Sequence, residues 1–290
     1  MLPSSPIFQK YFPGDSYKPV DIPLSVYAEA KKETLASMPM SGFKEGSFPE
    51  CLNIEFSSPL RTLGTAPSDD AMFAFVLHKG KIILLFQSYL LTNFRNAEAV
   101  LNGIPIKCSE QTFKLGCADV HPSDANYVKV VRSILYAERP KFAKQATDGL
   151  ACFNPDLWNL RSQGAMFRAV LGSTMNKGAF EIFQKCIVFS CTQAGDQGRD
   201  LGAFPPIRVM EATKDKNWGI GVPCMEALDL LKAQAALTPD ADLFDMAGPV
   251  TKGKNQLGEI IVDVMRLIHC KTFEEHLAFV GDFEFFRVVE

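Results

Sequence analysis

The sequence predicts an α+β fold, a helix-rich single domain with a small β-sheet. Three observations carry that expectation. The apolar runs Met72 to Leu77 and Ile82 to Phe86 are separated by His78-Lys79-Gly80-Lys81, which reads as a β-hairpin. Ala99 to Ile106 alternates around Asn102-Gly103, a turn that links two short strands. From Ser109 onward the apolar spacing takes on helical period, with Ser109 suited to be its N-cap.

Residues Met1 to about Pro23 are rich in Pro and Ser and read as an extended, poorly packed arm. A short amphipathic helix follows from about Ser25 to Ser37. Met38 to Asp70 reads as loop with one strand, Leu52 to Phe56. Residues 1–70 are therefore taken as an N-terminal extension and 71–270 as the domain. Further helices are expected at Ala125 to Ala137, Leu157 to Val170, Ala179 to Cys191 and Leu257 to Ile268. Gln193 to Pro206 reads as loop, and Glu226 to Ala236 as a helix within an insertion spanning 222–252. The tail, residues 271–290, is expected to pack on the core, with Leu277 to Val289 read as a strand.

At 290 residues, with 47% hydrophobic and 22% charged residues, the composition is that of a soluble globular protein. A net charge of −3 gives no global basic footprint for nucleic acid. The longest apolar stretches are too short to span a bilayer, so no membrane partner is expected. No basic, apolar leader pattern follows Met1. The eight cysteines include no C-x-x-C pair, so neither a metal site nor a cofactor is expected. Reduced thiols in a cytoplasmic or nuclear setting fit them best.

The segment Met210 to Gly221 places Glu211 and Asp215 before Trp218, followed by Gly219 and Gly221. Neither a helical nor a strand pattern explains that order. The glycines allow the backbone to approach a ligand closely. A tryptophan beside two acids is a platform for a ribose or a planar base, and equally a core residue followed by a tight turn.

Three motifs occur in order along the chain. The first is Phe86-x-Ser88 with Leu91-Thr92-Asn93-Phe94, then Gly103 and Ser109-Glu110-Gln111. The second is Trp158, three residues before Arg161 and eight before Met166. The third is the Met210 to Gly221 segment with Gly253-Lys254-Asn255-Gln256-Leu257-Gly258. Together, over Met72 to Ile268, they resemble the NADAR family, the YbiA-like N-glycosidases. The resemblance implies cleavage of a ribose C1′–N bond. The substrate would be ADP-ribose on a guanine base, within ADP-ribosylated nucleic acid, or a phosphoribosylaminopyrimidine intermediate of riboflavin synthesis. It implies Glu110 as the family's acid and Asp215 as the acid that holds a ribose hydroxyl or water. Asn93, Phe94, Gln111, Lys114, Arg161, Glu211, Trp218, Gly219 and Asn255 would line the ligand. The chemistry suits such a set, because C1′–N cleavage develops oxocarbenium character that a fixed carboxylate stabilises.

The match departs from the family at telling positions. A lysine usually follows the motif glutamate by seven residues; here position 117 is Cys117, and Lys114 lies one turn earlier. Thr147-Asp148-Gly149 stands where the family has Gly-Arg, and Ser173 to Gly178 replaces a Lys-Phe-x-Gln-Asn segment. Two readings stay open: an active N-glycosidase, and a pocket that binds ADP-ribose without cutting it.

Overall fold

The computed structural model describes residues 5–14, 17–34, 55–56, 61–68, 71–87, 91–94, 96–117, 122–148, 155–193, 202–245 and 251–290. The chain begins with α1 (Pro6–Tyr11), β1 (Val20–Pro23) and α2 (Leu24–Thr34), then β2 (Glu55–Phe56) and β3 (Arg61–Ser68). Next come β4 (Ala71–His78), β5 (Lys81–Gln87), β6 (Asn96–Leu101) and β7 (Ile104–Cys108). Helices α3 (Ser109–Cys117), α4 (Tyr127–Leu135), α5 (Pro140–Gln145), α6 (Pro155–Ser173) and α7 (Lys177–Gln193) follow. The chain closes with β8 (Ile207–Glu211), α8 (Cys224–Leu237), α9 (Gln256–Ile268), α10 (Phe273–Gly281) and β9 (Phe286–Val289). With about 50% helix, 17% strand and only small sheets, the helix-rich α+β class is observed. Among the described residues no helix is long and apolar enough to cross a membrane.

Contacts divide the chain into two units, with the boundary falling inside α7. One is Met1–Lys44, Asn93–Phe180 and Lys271–Glu290; the other is Glu45–Thr92 and Glu181–Cys270.

In the first unit, β6 and β7 form the expected hairpin, pairing Leu101 with Ile104 across Asn102 (φ 48°) and Gly103 (φ 79°). Two successive left-handed residues give the turn a twist that matches the strands it joins. The N-terminal residues correct the expectation of a loose arm. Phe8, Tyr11 and Phe12 of the α1 region are buried, and Tyr11 stacks on Phe167 of α6 at 4.5 Å. Phe8 meets Phe167 and Phe283 edge-on. Arg168, buried one position along, lies under the Phe12 and Tyr17 rings and donates from Nη2 to the Lys18 carbonyl at 2.8 Å. The Pro and Ser content concealed an aromatic spacing that buries one face of this segment. β1 then pairs in parallel with β9.

The tail also departs from expectation, because strand is confined to β9. Residues 273–281 are helical, opened by a capping box in which Thr272 and Glu275 exchange hydrogen bonds. His276 of that helix is fully buried and stacked on Phe180 at 5.2 Å. Thr174 Oγ1 donates to the Leu171 carbonyl and therefore accepts from His276 Nε2–H at 2.8 Å. Nδ1 is buried with no hydrogen-bond partner. Burial first, and then the charge of Lys271, lower the imidazole pKa to about 4. The unfolded chain binds this proton more tightly, so stability is complete above about pH 6.5 and is lost as pH falls toward 4. Because Glu110 shifts stability the other way over this range, the reading is the difference between proteins: from pH 7 to pH 4.5, urea midpoints should show wild type losing up to about 3 kcal/mol relative to His276→Gln. Equal changes in both proteins would remove His276 as the cause.

The second unit is built on a five-stranded sheet of order β2-β3-β4-β5-β8, antiparallel except for the parallel β5–β8 pair. The expected β4–β5 hairpin is present, and His78 pairs with Lys81 across a two-residue turn at Lys79-Gly80. Ile82 to Phe86 are buried without alternation, as a strand covered on both faces requires. Ala74, Val76, Ile83 and Leu85 pack with Ala227, Leu228 and Leu231 of α8. Phe75, on the opposite face, meets Phe189 of α7 at 4.6 Å. Hence the helix inside the 222–252 segment belongs to the core of its unit.

β3 is a strand where loop was expected. Gly64 and Pro67 disguise it in sequence; a register shift between Thr62 and Gly64 absorbs the first. Among the described residues, Pro67 lies beyond the short pairing of β3 with β2. Of the expected strand Leu52 to Phe56, only Glu55 and Phe56 lie within the described residues, as β2. Ser88, Gly149 and most of Gln193 to Pro206 fall outside them.

Candidate active site

The expected site residues fall into two groups, one in each unit. In the first, β7 runs directly into α3, which places Glu110 in the first helical turn. The Glu110 N–H donates to the Asn93 carbonyl at 3.0 Å, joining the first motif to the helix. Asn93 is itself buried, and its Nδ2 donates to Met166 Sδ at 2.8 Å. The Glu110 side chain is only 4% exposed. A helix N-terminus favours the ionised carboxylate, yet burial outweighs that and raises its pKa to about 7. The nearby charges of Lys114 and Lys144 oppose the rise without cancelling it.

Lys114, half-buried, donates to Thr147 Oγ1 at 2.9 Å. Lys144 of α5 has its ammonium 5.6 Å from the centroid of the exposed Phe94 ring. Thus Asn93, Phe94, Glu110 and Lys114 come together with two residues the motifs did not contain, Lys144 and Thr147. The six-residue α5 is too short to show a helical period; Pro140 at its first position is its one signal.

Gln111 has a different task. Its Oε1 accepts from the Lys107 N–H at 2.7 Å, and its Nε2 donates to the Ile134 and Leu135 carbonyls. The amide thereby ties the end of β7 to the last turn of α4. Cys117, two turns beyond Glu110, is fully buried. Arg161 is exposed on α6.

In the second unit, Met210 and Glu211 end β8, a correction to the view that no strand enters this segment. Asp215 is exposed, and its Oδ1 accepts from the N–H groups of Asn217 and Trp218 at 2.7 and 2.9 Å. That is an Asx-type turn, in which the carboxylate organises the backbone ahead of half-buried Trp218. A Cβ on Gly219 would lie 2.7 Å from the Glu211 carbonyl oxygen, so only glycine fits there. The carbonyls of Asn217 and Trp218 accept from Gln256 and Leu257, satisfying two of the N–H groups that open α9.

Asn255, left-handed at φ 52°, turns its amide onto the outer edge of β8. Its Oδ1 accepts from the Glu211 N–H at 3.0 Å and its Nδ2 donates to the Val209 carbonyl at 2.8 Å. These are the two groups a further parallel strand would use, and an amide is the side chain that offers both donor and acceptor. One asparagine thus pairs the edge that β8 would otherwise leave open.

Scans of the chain against models of known protein families and against curated proteins find no match.

Proposed function

We propose that this protein is an N-glycosidase that cleaves a ribose C1′–N bond, removing ADP-ribose from guanine bases or splitting a phosphoribosylaminopyrimidine. The observation that carries the reading is Glu110, a buried carboxyl with its pKa raised to about 7 and flanked by two lysines. Near neutral pH both of its protonation states are populated. The acid form can deliver a proton to the departing base nitrogen. The carboxylate left behind stabilises the positive charge at C1′ until water adds there; the new C1′–OH forms as the water gives up a proton that restores the Glu110 acid. Exposed Phe94, next to the Asn93 whose carbonyl holds the Glu110 N–H, supplies an apolar face for a sugar or base. The motif resemblance supports the same substrates. Asp215 is given no step, since its carboxylate already organises a turn.

The alternative, a module that binds ADP-ribose without cutting it, draws on Cys117, a buried thiol where the resembling family has lysine. One experiment separates the two. The full chain is incubated with an ADP-ribosylated guanosine oligonucleotide and with the phosphoribosylaminopyrimidine, and released ribosyl product is quantified. Turnover of either establishes the enzyme. Measurable ADP-ribose binding without turnover replaces it with the binding module, and neither result abandons both.

A further inference from the structure

Within the first unit, two lysines from different elements converge on one buried acid. Lys114 comes from α3 and Lys144 from α5, and the charges of both reach the Glu110 carboxyl. The two amines are held differently. Lys114 is half-buried and fixed by Thr147, whose hydroxyl follows α5 by two residues. Lys144 is exposed, with its ammonium over the face of Phe94, the residue that follows Asn93, whose carbonyl holds the Glu110 N–H. A cation over an aromatic face retains outward N–H donors, because the ring accepts from one side only. Even with Glu110 ionised, these three groups keep an excess positive charge, and Thr147 adds a hydroxyl beside it.

We infer that Lys144, with the Lys114–Thr147 pair, forms a phosphate-holding edge of the Glu110 site and positions a phosphorylated ligand for it. Lys144 acts there as a point charge with rotatable donors, the mode in which lysine grips phosphate. This assignment rests on the Glu110 reading proposed above for its location, and on Lys144 for its chemistry.

Calorimetry on the full chain tests it, with ADP-ribose and inorganic pyrophosphate as probes. The proteins are wild type, Lys144→Met, and Lys129→Met as an exposed control on α4. Lys144→Met should weaken both probes at least about tenfold, more at low salt, while Lys129→Met binds as wild type does. With a turned-over substrate, KM should rise by the same factor at constant kcat, the signature of lost uniform binding. Equal ADP-ribose affinity in wild type and Lys144→Met would overturn the inference and leave the N-glycosidase reading standing. Lys144-dependent pyrophosphate binding without any ribosyl ligand would uphold the clamp and remove that reading. Binding of neither probe overturns the clamp.

Discussion

Glu110→Gln is expected to lower kcat by about 10²- to 10⁴-fold and, at the same time, to make the protein more stable above pH 7. Both effects follow from one environment. The folded carboxyl has its pKa at about 7 because burial penalises the charged form. The folded state therefore binds this proton more tightly than the unfolded chain. Its stability declines as pH rises from about 4.5 to about 7, and above that the full penalty is present. A shift of this size corresponds to about 3 kcal/mol. Glutamine keeps the shape, carries no charge and cannot transfer a proton. The variant should melt some 5 to 10 °C higher at pH 8 and nearly with wild type at pH 5. Wild-type kcat/KM should fall above about pH 7 as the acid form is lost. An unchanged kcat would remove Glu110 from the chemistry, and an unchanged melting temperature at pH 8 would refute its buried charge.

Local signals were readable where the chain settles its own geometry. Asn102-Gly103 and Lys79-Gly80 are such cases, because a two-residue turn is decided by the residues that occupy it. The long apolar helices α6, α7, α8 and α9 are others, each matching its expected centre within a few residues at the ends. The failures share a cause. β3 contains Gly64 and Pro67 and exists because β4 offers it a partner. The N-terminal aromatics look like decoration on a Pro-rich segment until α6 provides Phe167 for them to stack on. α5 is a helix of six residues, shorter than two turns, and no periodicity survives at that length.

Site residues divided along the same line. Glu110 was visible as a motif acid, but its burial was not. A glutamate in the first turn of a helix ordinarily faces water. Lys144 lay outside every motif, and only the packing of α5 brings its charge to Glu110. Asn255 shows the reverse case. Its place in a glycine-flanked motif suggested a ligand contact, whereas its amide completes the edge of a strand more than forty residues earlier. Much of what made the Met210 to Gly221 and Gly253 to Gly258 motifs distinctive is backbone engineering within one unit. The acid-base environment lies around Glu110.

Gly258→Ala should be the most damaging small substitution in the second unit. A methyl group at this position would lie 2.1 Å from the Val209 carbonyl oxygen and 2.6 Å from Asn255 Oδ1. The first of these is a backbone atom of β8, so no rotamer change relieves the clash. The same Val209 carbonyl accepts from Asn255 Nδ2. Pushing α9 away to make room would therefore pull the asparagine from the strand edge and leave buried polar groups unpaired. Overpacking and lost hydrogen bonds add, and together they are expected to cost about 4 kcal/mol or more. In a chain of this size that lowers the melting temperature by roughly 10 °C. Gly281→Ala is the matched control, because a Cβ there meets nothing within 4 Å. It should melt close to wild type. Hydrogen exchange would locate the damage in Gly258→Ala, with amides of β8 and the first turn of α9 losing protection first. A Gly258→Ala protein that melts with wild type would show that α9 does not lie against β8 at this distance. The explanation of both the Asn255 strap and the glycine-rich motif would then fall together.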